Sequence, residues 1–154
     1  MKPEQLVVAV VMERMATSNV WVTERWEARA VIPDAQTQRT SKLLFDTAER
    51  AQILHTGLCI ELHRDEAQGY YLNLSSPKPS LFVMWRMRER DAVPVMVTLS
   101  YDEAARLLDA GETVDAIPMP SEFGGWLAAY VAEHYRPEPK KIRKRERMTP
   151  DGRR

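Results

Sequence analysis

The sequence predicts an α+β domain: an antiparallel sheet or partly closed barrel of five to six strands, with two C-terminal helices. Three observations carry this expectation. Apolar and polar residues alternate at period two through most segments before Ser100. Beyond it, apolar residues recur at helical spacing. The length, 154 residues with 44% hydrophobic and 29% charged side chains, suits one soluble domain that buries a core without staples.

Taken in order, Leu6 to Met12 is a continuous apolar, β-branched run, as expected of a strand covered on both faces. It is short, Glu13 and Arg14 follow at once, and no small-residue cleavage site comes after it, so it reads as a strand rather than an export signal. Thr17-Ser18-Asn19 has turn chemistry. From Val20 to Ile32, Val22, Trp26, Ala28, Ala30 and Ile32 share one parity while Arg25, Glu27 and Arg29 take the other, a second strand antiparallel to the first. Pro33-Asp34 ends it, and residues 34–42 read as a polar loop. LLFDTAERAQILH fits either a short helix or an irregular strand. Leu58, Ile60 and Leu62 alternate with Cys59, Glu61 and His63 in a third strand, and Cys59 is expected to be buried in it.

The stretch GYYLNLSSPKPSLFVMWRMRE holds most of the aromatic and sulfur-bearing bulk in mid-chain. Tyr70, Leu72 and Leu74 alternate with Tyr71 and Asn73, and Pro77 and Pro79 interrupt the ladder. Leu81, Val83, Trp85 and Met87 then resume on one face, assigned to the core. Tyr71, Phe82 and Met84 share the parity of Asn73, Arg86 and Arg88, a face that is either covered by helices or left as a binding surface. VPVMVTL adds a last strand with Pro94 near its start.

Ser100-Tyr101-Asp102-Glu103 is a capping box opening a helix with Ala104, Leu107 and Leu108 as its stripe and Gly111 as its stop. AIPMP connects to a second helix, for which Ser121 is the candidate cap. Phe123, Trp126, Leu127, Tyr130, Val131 and His134 make one continuous face suited to lie on a sheet. Pro137 stops it. The domain therefore spans residues 1–136, and 137–154 reads as a disordered basic tail.

Motifs for chemistry are scarce. His55, His63 and His134 stand in no metal-binding spacing, and the single Cys59 builds neither a thiolate site nor an internal disulfide, which fits a reducing cytoplasm. His63-Arg64-Asp65-Glu66 groups ligand types at a turn, with Arg64 in their midst disfavouring a cation. There is no G-x-S-x-G nucleophile elbow, no P-loop and no G-x-G-x-x-G. Asp102 and Glu103 are explained by the helix cap and dipole. The expectation is therefore a non-enzyme without cofactor or metal.

Zero formal net charge conceals an asymmetry. Residues 136–154 carry nine Lys or Arg against three acids, leaving thirteen basic and nineteen acidic side chains in residues 1–135. The tail, with Lys140, Lys141, Arg143, Lys144 and Arg145, would give salt-sensitive phosphate binding if it met nucleic acid. The acidic body and the lack of a recognition helix favour instead a tail that docks an acidic protein partner or simply keeps the protein soluble. The candidate partner-binding residues are thus Tyr71, Phe82, Met84, Arg86 and Arg88 with these five tail cations.

GYYLNLSSPKPSLFVMWRM, VTLSYDEAARLLDAGETVDAIPMP and HYRPEPKKIRKRER together resemble a small bacterial family of unknown function, and VVMERM…NVWVTERWEARAVIP resembles that family's opening. Members are usually encoded beside molybdenum-dependent formate dehydrogenase genes. What the resemblance implies is an accessory role in assembling, maturing or regulating that enzyme, with the dehydrogenase or a maturation protein as partner. A nucleic-acid-binding regulator using the tail is the alternative, and an enzyme with an unrecognised site the third reading.

Overall fold

The computed structural model describes residues 4–137. Seven strands and three α-helices follow one another as β1 (Gln5–Ala16), β2 (Glu24–Pro33), β3 (Ser41–Asp46), β4 (Arg50–Glu61), α1 (Ala67–Ser75), β5 (Ser80–Arg88), β6 (Asp91–Thr98), α2 (Tyr101–Asp109), β7 (Thr113–Pro118) and α3 (Ser121–His134). A single 3-10 turn, Arg64–Glu66, precedes α1. The α+β class and the antiparallel pairing hold, but the strands form two open sheets rather than one sheet or a barrel. Sheet A has the order β2-β1-β4-β3 and sheet B the order β6-β5-β7.

Sheet A is built on two long strands. β1 is buried on both parities from Val8 to Glu13, as an apolar run at the centre of a sheet requires. It pairs antiparallel with β2 and with β4. The segment left open between helix and irregular strand is the β3–β4 hairpin, and its irregularity is a register shift between Leu43 and Phe45. A further shift in β4 is made by Gly57, whose φ of +81° and whose approach to the Gln38 backbone exclude a side chain: a Cβ would stand 2.5 Å from the Gln38 carbonyl carbon.

The largest correction concerns Tyr70 to Leu74, which lie in α1 and not in a strand. Period two places Tyr71 and Asn73 together, whereas the helix turns Asn73 inward and Tyr71 outward. Asn73 is 1% exposed and closes three buried bonds: its Nδ2 donates to the Ser80 and Leu99 carbonyls, and its Oδ1 accepts from Ser80 N–H. Such full satisfaction fixes the α1–β5 connection. Tyr70 is buried, and Leu72 is exposed. Burial raises the Tyr70 phenol above its usual range, and its oxygen accepts from His63 N–H at 2.9 Å.

The core lies between the sheets and against the helices. Val8, Val10, Met12 and Ile60 of sheet A meet Leu81 and Val83 of sheet B, with Tyr70, Phe123, Leu127 and Tyr130 closing it from α1 and α3. Full burial of such side chains contributes about 1.5–3 kcal/mol each. Trp85 is partly buried against this cluster, while Met87, expected inside, is 50% exposed near the end of β5. Cys59 is only partly buried.

The helices end as their residues dictate. Ser100 Oγ accepts from Glu103 N–H at 3.0 Å, half of the expected box, but the Glu103 carboxylate takes the Thr98 hydroxyl at 2.5 Å instead of reaching back. Gly111, at φ +88°, supplies the left-handed stop of α2. The cap of α3 is Pro120 rather than Ser121, and its last residue is His134. AIPMP is not merely a connector, because Thr113–Pro118 pairs with β5.

Candidate interaction surfaces

Asp115 joins the two sheets. Its Oδ2 accepts from the Trp85 indole N–H and from the Ala28 backbone N–H, both at 2.8 Å. The Ala28 donor belongs to the sheet-A edge strand β2, at the position where its register with β1 shifts. One carboxylate oxygen thus satisfies a donor from each sheet. On the other side, Arg39 donates to the Pro94 carbonyl at 3.0 Å, tying the β2–β3 connection to β6.

Glu13, 1% exposed, is held by Arg50 at 2.6 Å, Gln52 at 3.0 Å and Arg29 at 3.2 Å. Burial works to raise its carboxyl, and the bonds from Arg50 and Gln52 overcome that and hold it below the usual range. Glu66, in the turn considered for metal, instead accepts from Ser100 Oγ at 2.6 Å and Arg106 at 2.5 Å, bracing α1 against α2. Among the described residues no group of three His, Cys, Asp or Glu side chains is placed to hold a metal ion. A polar hollow of about 420 Å3 lies between Arg64, Asp65, Gln68, His134 and Arg136.

The residues singled out as a partner face are separated by the fold. Phe82 points from β5 toward α2, where its ring meets Tyr101 edge-on at 6.3 Å. Met84, flanked in the sheet by Met96 and Val114, is 3% exposed and is not surface. Arg86 is exposed but engaged: its Nε and Nη2 donate to the two Glu112 carboxylate oxygens at 3.1 and 2.6 Å. That fork strengthens the hold of Arg86 on its proton and keeps the Glu112 carboxyl below its usual range. Arg88 is exposed at the end of β5. Tyr71 is elsewhere, stacked at 4.6 Å on Tyr135 beyond α3. Lys140, Lys141, Arg143, Lys144 and Arg145 lie outside the described residues, as does nearly all of the segment expected to be a tail.

Two surface features come from this arrangement. The first is an apolar groove of about 240 Å3 between α2 and the outer face of sheet B, with Phe82, Val114 and Ala116 on the sheet and Tyr101, Ala104 and Leu108 on the helix. The second escaped sequence reasoning. Residues 20–22, expected at the start of a strand, form the tip of the β1–β2 hairpin, where Val20 is 81%, Trp21 88% and Val22 51% exposed. The tip is tied down: Thr17 N–H donates to the Thr23 carbonyl at 3.0 Å, Thr17 Oγ1 to the Val22 carbonyl, and Trp21 N–H to Asn19 Oδ1 at 2.8 Å. The available signal was local. Thr17-Ser18-Asn19 begins a turn, and a turn continuing through Trp21 leaves that ring no sheet face to share.

Among the described residues, no helix is long and apolar enough to cross a membrane. No match is found among curated proteins or among solved structures. Residues 7–145 match the family described as protein of unknown function (DUF3305), and with nearly its whole length covered the chain belongs to that family.

Proposed function

We propose that this chain is a cytoplasmic, non-catalytic accessory factor of a molybdenum-dependent formate dehydrogenase, docking on the enzyme or one of its maturation proteins through the β1–β2 hairpin tip. The observation that carries the docking is Trp21, 88% exposed between two exposed valines on a hydrogen-bonded loop. Tryptophan is the residue type most enriched at binding hot spots, and a tip already ordered loses little freedom on association. The charges next to it are paired: Arg14 with Glu24 and Asp46, and Arg25 with Glu27. A neutral rim around an apolar knob matches an apolar socket on a protein better than a phosphate backbone or an anionic lipid surface. Formate dehydrogenase as the partner is supported by the likeness of the quoted segments to the family found beside its genes.

The test is binding of the full chain to purified formate dehydrogenase and to its maturation proteins, each immobilised. Trp21→Ser should weaken capture at least about tenfold, the scale of a hot-spot residue, while its melting curve matches wild type. Equal capture by the variant would remove Trp21 from the interface, and no capture of the wild-type chain by any of them would refute the partner. A salt-sensitive shift of DNA or RNA by the full chain, without capture of these proteins, would move the reading to the nucleic-acid alternative.

A further inference from the structure

The groove between α2 and sheet B combines an apolar floor with an acidic rim. Tyr101 and Leu108 leave it half open, being 51% and 55% exposed. Asp102 and Asp109 flank the groove face of α2, and Glu112 pairs with Arg86 at its sheet end, three carboxylates to one guanidinium. An occupant that suits it brings one medium-sized apolar side chain set among cations.

The chain contains that sequence. Residues 138–154 hold eight Lys or Arg against three acids, and Ile142 stands between Lys140-Lys141 and Arg143-Lys144-Arg145. The family match extends through Arg145, so Ile142 and the five flanking cations lie within it. The path is short. Tyr135 stacks on Tyr71 of α1, and Gly69 of α1 lies so close to Ser100, the cap of α2, that a Cβ there would collide with the serine hydroxyl. The described chain therefore leaves the fold beside α1, which itself abuts the start of α2. Seven residues from Tyr135 to Ile142 reach up to about 25 Å when extended.

We propose that the groove is a docking site for this chain's own C-terminal segment, with Ile142 against Phe82, Leu108 and Val114 and the flanking cations facing the acidic rim. Tethering raises the local concentration of the segment to the order of millimolar, so a weak contact suffices to fill the groove. The site is independent of the hairpin tip, and its test needs no partner.

The experiment places a photoreactive benzoylphenylalanine at position 142 of the full chain and maps its cross-links. The expected products are intramolecular and fall within residues 101–116. They should diminish severalfold at about 1 M salt, where charges are screened within ~3 Å. They should diminish likewise when Lys140, Lys141, Arg143, Lys144 and Arg145 are all replaced by Glu, and in Leu108→Glu, whose exposed position keeps the fold. Hydrogen exchange of residues 101–116 in the chain without the photoreactive group should be severalfold faster in the charge-reversed variant than in wild type. Cross-links mapping elsewhere, products joining two copies, no cross-links, or cross-links and exchange indifferent to both variants would each overturn the proposal.

Discussion

The β1–β2 hairpin carries two tryptophans with opposite fates. Trp26, at its root, is 8% exposed and belongs to the core cluster, whereas Trp21, at its tip, is 88% exposed. The root lies under sheet B, where Ala28 N–H reaches Asp115 of β7. The tip meets the β3–β4 turn, through Ala16 N–H on the Glu49 carbonyl and Arg14 on Asp46 and the Thr47 carbonyl. The same residue type in one supersecondary unit is thus structural where a second sheet covers it and available for binding where none does. An exposed tryptophan beside a well-built root is the more informative of the two, because nothing in the stability of the domain requires it.

The sharpest way to break this comparison is to truncate both rings. Trp26→Ala should lower unfolding free energy by about 3–5 kcal/mol, read from urea denaturation, because it empties a core site. A midpoint unchanged by that substitution would place the root outside the core. Next in size is Asp115→Ala, which leaves the Trp85 indole and Ala28 amide without their acceptor. At about 1–3 kcal/mol for each unsatisfied donor, a loss of roughly 2–6 kcal/mol is expected. Asp115→Asn, which keeps an oxygen for both donors, should recover most of it, and equal losses for the two variants would assign the effect to charge instead.

Acid sharpens the picture of the inter-sheet region through His55. It is 4% exposed, its Nδ1 pairs with Ser41 Oγ at 3.0 Å, and its Nε2 has no hydrogen-bond partner among the described residues. Burial first, then the Arg39 charge, depresses its pKa below 6.5, against an opposing contribution from Asp91. Because the unfolded chain binds the proton more readily, stability should fall as pH drops through and below about 6.5, and level off once the folded-state pKa is passed. Thermal melts from pH 8 to 5 on wild type and His55→Asn check this: the variant should show a flatter profile, and identical slopes would exclude His55 as the titrating group.

The smallest stability effects belong to the surface. Trp21→Ser should stay within about 0.5 kcal/mol of wild type in the same denaturation assay, and a large loss would make the tip part of the fold. Arg86→Ser combined with Arg88→Ser should also melt near wild type, since the Arg86–Glu112 fork is solvent-exposed. The same double variant, assayed for capture of formate dehydrogenase, tests whether these arginines add to the hairpin contact.

The sequence by itself determined the α+β class, the antiparallel β1–β2 pairing, the Ser100 cap with its Gly111 stop, and the buried stripe Phe123, Leu127 and Tyr130 of α3. Each is encoded locally, in alternation, in cap chemistry or in helical spacing, and needs no distant partner to be specified. Only the tertiary structure decided the rest. Tyr70 to Leu74 alternates like a strand, yet it folds as a helix because Asn73 gains three buried hydrogen bonds to Ser80 and Leu99 that only the packed chain provides. Short apolar runs have no unambiguous period, so tertiary bonds choose between the alternatives. Met84 became core while Met87 became surface, and Trp26 was covered while Trp21 was left bare, because burial depends on where the second sheet and α2 end, a property of the assembled fold and not of any one segment.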